Sequence, residues 1–94
     1  MDKTEAGALL QHELEALRDR FGVGIVGNVG HSFQKEATGP SGSAYQIEID
    51  VAWDDSQRTR VRLIGGIDDG GLSAFRPLTL SILIPVADGN AGGT

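Results

Sequence analysis

The feature that most constrains the fold is a run of alternating apolar and polar residues between Tyr45 and Val86. Its clearest part begins at Tyr45 and ends at Trp53, and there every odd-numbered residue is apolar. A period of two is typical of a strand that buries one face and exposes the other. The same period recurs around Val61 and again before Pro85. We therefore predict consecutive antiparallel strands joined by acidic turns.

The first two of these strands can be aligned by the faces that they must share. Because both apolar sets face one side, opposed residues need numbers of equal parity, which requires a loop of odd length. The shortest suitable loop comprises residues 55–57. The resulting pairs are Asp54 with Arg58, Asp50 with Arg62, Val51 with Val61 and Ile49 with Leu63. Opposite charges across strands are favourable, so we interpret the row Arg58, Arg60 and Arg62 as partners of Asp54, Asp50 and Glu48 rather than as a phosphate site.

The later part of the run contains turn and bulge signals. Asp69-Gly70 is typical of a two-residue hairpin, which would place Ile67 opposite Leu72. The glycine pair Gly65-Gly66 indicates a β-bulge, since apolar residues change face after it. Pro77 favours an edge strand or a kink, because proline has no N–H to donate.

The N-terminal part predicts a helix from Asp2 to Phe21, with Asp2 and Glu5 as a capping pair and Gly22 as the end. A glycine-interrupted first strand is predicted over 23–36, followed by a loop over 37–44. The predicted fold class is α+β, one N-terminal helix packed on an antiparallel sheet of about four strands. Residues 1–87 form this single domain, and 88–94 form a disordered tail.

Composition excludes several classes of protein. The chain has 94 residues, a net charge of −5 and no cysteine, so disulfides and thiolate metal sites are absent. An acidic chain disfavours nucleic-acid binding. The longest apolar run, Leu78 to Val86, is far shorter than the roughly 20 residues of a membrane-spanning helix. The N-terminus lacks the pattern of a signal peptide, so a cytoplasmic protein is expected.

His31 is the candidate catalytic residue, because imidazole titrates near neutral pH. The alternative is a core histidine beside Val29 and Phe33. Its neighbour Ser32 points to the opposite face of a strand, so the two cannot act as nucleophile and base.

Cofactor and metal motifs are not supported. The segment from Gly22 to Gly27 matches G-x-G-x-x-G, but it follows a helix and precedes a strand, which reverses the order in dinucleotide sites. The pairs Asp54-Asp55 and Asp68-Asp69 lack the spacing of a calcium loop. We predict no cofactor and no metal.

Two further surfaces are candidate binding sites. Tyr45 and Trp53 close the ends of one apolar face and are either plain core or the lining of a pocket between helix and sheet. The candidate ligand-binding residues are Tyr45, Trp53, His31 and Arg76. One helix covers only one face of the sheet, and some apolar residues do not all fit that face. These residues form the candidate oligomer interface: Ile64, Ile67, Leu72, Phe75 and Leu83.

The segment Ile67-Asp68-Asp69-Gly70-Gly71, followed by Ala74 to Thr79, resembles small uncharacterised bacterial proteins of the mobile gene-cassette (integron) type. The resemblance implies a bacterial origin, an α+β fold and self-association, and it implies no functional residue.

Three functional hypotheses follow. The first is a small homo-oligomer, most simply a dimer, that acts as a binding or interaction module and holds a small molecule between helix and sheet. The second is an enzyme of unknown class that uses His31 in a small pocket. The third is an acidic inhibitor of a basic protein.

Overall fold

The computed structural model describes residues 1–71 and 76–86. Helix α1 (Lys3–Phe21) continues into a 3₁₀ segment (Gly22–Asn28). The strands are β1 (Ser32–Thr38), β2 (Ala44–Trp53), β3 (Arg60–Asp68) and β4 (Leu78–Pro85). They form one antiparallel sheet in the order β1-β2-β3-β4. The predicted α+β architecture is confirmed, while Leu72, Phe75 and the predicted tail lie outside the described residues.

Helix α1 has the ends that its sequence predicts. The Asp2 carboxylate accepts a hydrogen bond from the Glu5 N–H at 3.0 Å, which satisfies a donor left free at the helix start. Gly22 has φ +50 and donates its N–H to the Arg18 carbonyl, which ends the helix. The face that contains Ala6, Leu10 and Leu14 is fully buried.

The first half of the predicted first strand is wrong. Residues 22–28 form the 3₁₀ segment, in which Ile25 is buried while Val23 remains 66% exposed. A segment with three glycines has little strand propensity, and one apolar anchor holds it against the helix. Gly30, with φ +89, then turns the chain into β1.

The predicted register of β2 and β3 is wrong by two residues, although its parity is correct. Asp50 lies opposite Ile64, Val51 opposite Leu63 and Trp53 opposite Val61. The loop comprises residues 55–59 instead of 55–57.

The longer loop is held by Asp55. Its carboxylate accepts hydrogen bonds from the N–H groups of Thr59 at 2.9 Å and Arg60 at 3.3 Å, and from the Thr59 hydroxyl. The hydroxyl bond is the main reason that the pKa of Asp55 lies below its ordinary value. Arg58 takes the left-handed conformation, with φ 60, that closes the turn.

No bulge occurs at Gly65-Gly66, since the pairing of β3 continues through both residues without interruption. Gly65 instead permits a close approach of the helix, because a Cβ atom there would lie 2.7 Å from Leu10 Cδ1. Ile67 lies opposite Leu78 and not opposite Leu72. The connection between β3 and β4 therefore spans 69–77, and the predicted two-residue hairpin is wrong.

One core lies between α1 and the sheet. Its buried residues come from the helix, the 3₁₀ segment and the helix-facing positions of β2, β3 and β4: Ala6, Leu10, Leu14, Ile25, Tyr45, Ile47, Ile49, Val51, Val61, Leu63, Ile67 and Ile84. Trp53 packs at its border.

The glycine pair offers a matched test of this packing. Gly65→Ala is expected to lower the free energy of unfolding by about 1–3 kcal/mol, because the added methyl overpacks the helix contact. Gly66→Ala should change it by less than about 0.5 kcal/mol, since its Cβ would lie 3.8 Å from Pro77. Urea unfolding measures both, and equal effects would contradict the close approach at Gly65.

Candidate functional site

The sheet has a second face that α1 does not cover, which we call the open face. It carries the even-numbered residues of β1, β2 and β3 and the odd-numbered residues of β4. Ile64 and Leu83 lie on it and are 39% and 41% exposed. Ile67, by contrast, is fully buried in the helix-facing core. It does not share the surface of Ile64 and Leu83 as predicted, because the unbroken pairing of β3 keeps odd-numbered residues under the helix.

A shallow groove of about 390 Å³ crosses the open face. Its lining includes the exposed side chain of Ile64, the glycine pair Gly65-Gly66 and Pro77. The polar and acidic lining residues are Gln34, Gln46, Glu48, Asp50, Asp68 and Thr79. We call this concavity the acidic groove.

The carboxylates of the acidic groove have neutral neighbours. Glu48 accepts a hydrogen bond from the Gln34 amide at 3.4 Å, and Asp50 accepts one from the Ser32 hydroxyl. Within the described residues, neither Glu48 nor Asp50 takes part in an ion pair. The described lining of the groove therefore carries negative charge and includes no lysine or arginine.

The arginines that were predicted to neutralise these carboxylates lie at the other end of the face. Arg60 Nε is 3.2 Å from Asp54 Oδ2, and Arg62 Nη2 is 2.7 Å from Asp54 Oδ1. Arg62 also donates to the Ser81 hydroxyl at 2.7 Å. The predicted partners Asp50 and Glu48 are wrong because the register differs by two residues, which gives both arginines to one aspartate.

The candidate ligand-binding residues do not form a common site. Tyr45 and Trp53 are eight residues apart on β2, a separation of about 27 Å along an extended strand. His31 is exposed and directly precedes β1. Arg76 is exposed as well. The alternative of a core histidine is wrong, because His31 is exposed.

Tyr45 belongs to a structural network that the sequence did not reveal. Its hydroxyl donates to Glu5 Oε1 at 2.7 Å. The Glu5 carboxylate also accepts the Ser41 N–H at 2.9 Å and the Ser41 hydroxyl at 2.7 Å. Glu5 thus ties the loop between β1 and β2 to the first turn of α1. A buried tyrosine signals that a partner exists, but its identity depends on tertiary placement.

The two titrating groups of this network shift in opposite directions. The hydrogen bond to Glu5, followed by burial, raises the pKa of Tyr45 to about 12. The same bond, with those from Ser41, lowers the pKa of the Glu5 carboxyl from its ordinary value.

Metal-binding clusters, membrane-spanning helices and similarity to known proteins are three further indicators of function. Within residues 1–71 and 76–86, no three histidine or acidic side chains come together as a set that could hold a metal ion. Over the same residues, no helix is long and apolar enough to cross a membrane. No family model, curated protein or solved structure matches the chain. The resemblance to gene-cassette proteins stays a prediction.

The network predicts a specific titration, because Tyr45 is the only tyrosine in the chain. Tyrosinate absorbance should rise around pH 12 in the wild type and nearer the ordinary value of about 10 in Glu5→Gln. A pKa raised on folding contributes stability that is complete below the unfolded value and is lost as the pH passes the folded one. Stability should therefore fall between about pH 10 and 12.

At acid pH, the contribution of Glu5 to stability changes with pH in the opposite direction to that of Tyr45. Because folding lowers the pKa of Glu5, its contribution is complete above the unfolded value and is lost as the pH falls through the folded one. Equal tyrosine titrations in the wild type and in Glu5→Gln would contradict the network.

Proposed function

We propose that this chain is an interaction module with no chemistry of its own, and that its acidic groove binds a basic segment of another protein. The observation that carries the proposal is that Glu48 and Asp50 line the groove with the exposed side chain of Ile64 and form no ion pair among the described residues, while Arg60 and Arg62 pair with Asp54. This combination suits lysine or arginine, whose apolar stem packs on a hydrophobic surface while its charged head meets a carboxylate.

Charge distribution supports a basic partner. The chain carries a net charge of −5, and the two open-face arginines are already paired with Asp54. A concave acidic surface attracts basic segments over long range and speeds their association. The proposal combines the predicted interaction module with the chemistry of the predicted inhibitor of a basic protein.

Two observations favour this function over the enzyme hypothesis and over a small molecule held inside the fold. His31 is exposed and lies apart from the acidic groove, and the Tyr45 hydroxyl is engaged by Glu5. The space between α1 and the sheet is occupied by buried side chains. We propose the cytoplasm as the compartment, because the absence of cysteine fits a reducing environment.

Calorimetric titration with decalysine tests the groove. The double variant Glu48→Gln/Asp50→Asn should weaken binding about two- to thirtyfold, the effect of two exposed ion pairs worth about 0.2–1 kcal/mol each. The control variant Glu15→Gln/Asp19→Asn removes the same charge from helix α1, so both variants change the net charge from −5 to −3.

The control should retain near wild-type affinity at moderate salt, where distant exposed charges are screened. The backbone amide of Gly66 should also shift in NMR spectra on addition of decalysine. Equal weakening in both variants would show that net charge alone drives binding, and the proposed groove would then be wrong.

A further inference from the structure

Strand β4 forms one edge of the sheet and, as far as residues 1–71 and 76–86 show, lacks the usual protection of an edge. Proteins commonly guard edges with charged side chains, as β1 does with Lys35 and Glu36 on the other side of the sheet. The eight residues of β4 include no charged side chain. Prolines stand only at its ends, at positions 77 and 85. Between them lies an uncharged edge of the kind that pairs with another strand.

Apolar surface remains open on both sides of this edge. On the helix side, Leu78, Leu80 and Ile82 are only partly buried, because α1 does not extend past β4. On the open face, Leu83 is 41% exposed. A strand added beside β4 would cover both surfaces.

The hydrogen-bonding groups of β4 alternate in direction. Val86 donates its N–H to the Thr59 carbonyl at 3.0 Å. By the antiparallel alternation, even-numbered residues of β4 pair with β3, and Thr79, Ser81 and Leu83 point their N–H and C=O groups outward. Within the described residues, these three make no backbone hydrogen bond outside the ladder with β3. Three donors and their matching acceptors are thus aligned on the edge.

We propose that two copies of this chain pair through their β4 edges, antiparallel, with Ser81 on the twofold axis. Thr79 then lies opposite the partner's Leu83, and Ser81 lies opposite the partner's Ser81. All three outward N–H groups find carbonyl acceptors, and the result is a continuous eight-stranded sheet. On the helix side, Leu80 meets the partner's Ile82.

The prolines select this register. In a proline the ring carbon Cδ takes the place of the N–H hydrogen. A shift of the centre by one residue would aim the ring of Pro85 or Pro77 at a carbonyl of the opposite strand and push the strands apart. With Ser81 at the centre, Pro77 faces the partner's Pro85, beyond the last paired residues.

The position of α1 is compatible with this dimer. A twofold axis normal to the sheet keeps both helices on one side. Because α1 lies over β3 and β4, strand spacings of about 4.8 Å place the two helix axes about 10 Å apart, near the usual packing distance. The flank that faces the partner includes Gly7, whose Cβ position lies 3.5 Å from Leu78. A small residue there leaves room for the second helix.

Sedimentation of the full chain and cysteine cross-linking test the proposal. The wild type should sediment at about twice its 9.9 kDa across the micromolar range. The chain has no cysteine, so Ser81→Cys introduces a single thiol that should link two chains under mild oxidation, because Cα atoms of such pairs lie about 5.5 Å apart.

Two single-thiol controls locate the axis. Thr79→Cys should link at least an order of magnitude less, since its two copies would be about 14 Å apart. Gln34→Cys on the β1 edge should behave in the same way. Ser81→Pro should give a monomer, whereas Gln34→Pro, which blocks an outward N–H of β1, should remain a dimer.

Any of three results would overturn the proposal. These are a monomeric wild type, cross-linking through Gln34→Cys instead of Ser81→Cys, and a Ser81→Pro protein that stays dimeric. Circular dichroism checks that each variant is folded. The decalysine assay is a separate readout, so a failure of the dimer leaves the proposed function of the groove testable.

Discussion

The hydrogen bonds of Asp55 determine the alignment of β2 with β3, and the charge distribution of the sheet depends on that alignment. By accepting from Thr59 and Arg60, this carboxylate holds a five-residue loop where three residues would suffice. The faces of the strands are unchanged, because a shift of two preserves parity. The cross-strand partners do change. Both Arg60 and Arg62 pair with Asp54, and the carboxylates of Glu48 and Asp50, nearer the middle of β2, form no ion pair within the described residues.

The two proposed surfaces arise from the size of the helix relative to the sheet. One helix covers one face of the four strands and does not extend past the edge strand β4. Its close approach at Gly65 brings it over β3 and β4. The open face then presents the acidic groove, and the β4 edge presents outward backbone groups that pair with no other described residue, beside apolar side chains. We propose a basic partner for the first surface and another copy of the chain for the second.

Local and periodic signals in the sequence predicted the structure correctly. The helix with its Asp2 cap, the antiparallel strands and the assignment of faces all follow from spacing within a single element. Glycine is a weaker signal, because it has more than one structural use. Gly65 accommodates Leu10 and forms no bulge, and the glycines of 22–28 form a 3₁₀ segment rather than a bent strand.

The candidate site was harder to predict, because it depends on side chains that are distant in sequence. The charge pattern predicts the correct face for the arginines but the wrong ion-pair partners. The reason is that the shortest loop, residues 55–57, gives a register that differs by two residues from the observed one. The bond of Tyr45 with Glu5 joins residues 40 positions apart, and no periodicity encodes it. The exposure of His31 is a tertiary property that the alternation of apolar residues around it does not encode.

The register of β2 and β3 is the central claim, because the charge of the groove follows from it, and interstrand NOEs measure it directly. Residues opposed at non-hydrogen-bonded positions have Cα atoms about 4.5 Å apart and give intense Hα–Hα contacts. The structure predicts such contacts for Val51 with Leu63 and for Trp53 with Val61. A contact of Val51 with Val61 would instead restore the short loop, return Arg62 to Asp50 and contradict the account.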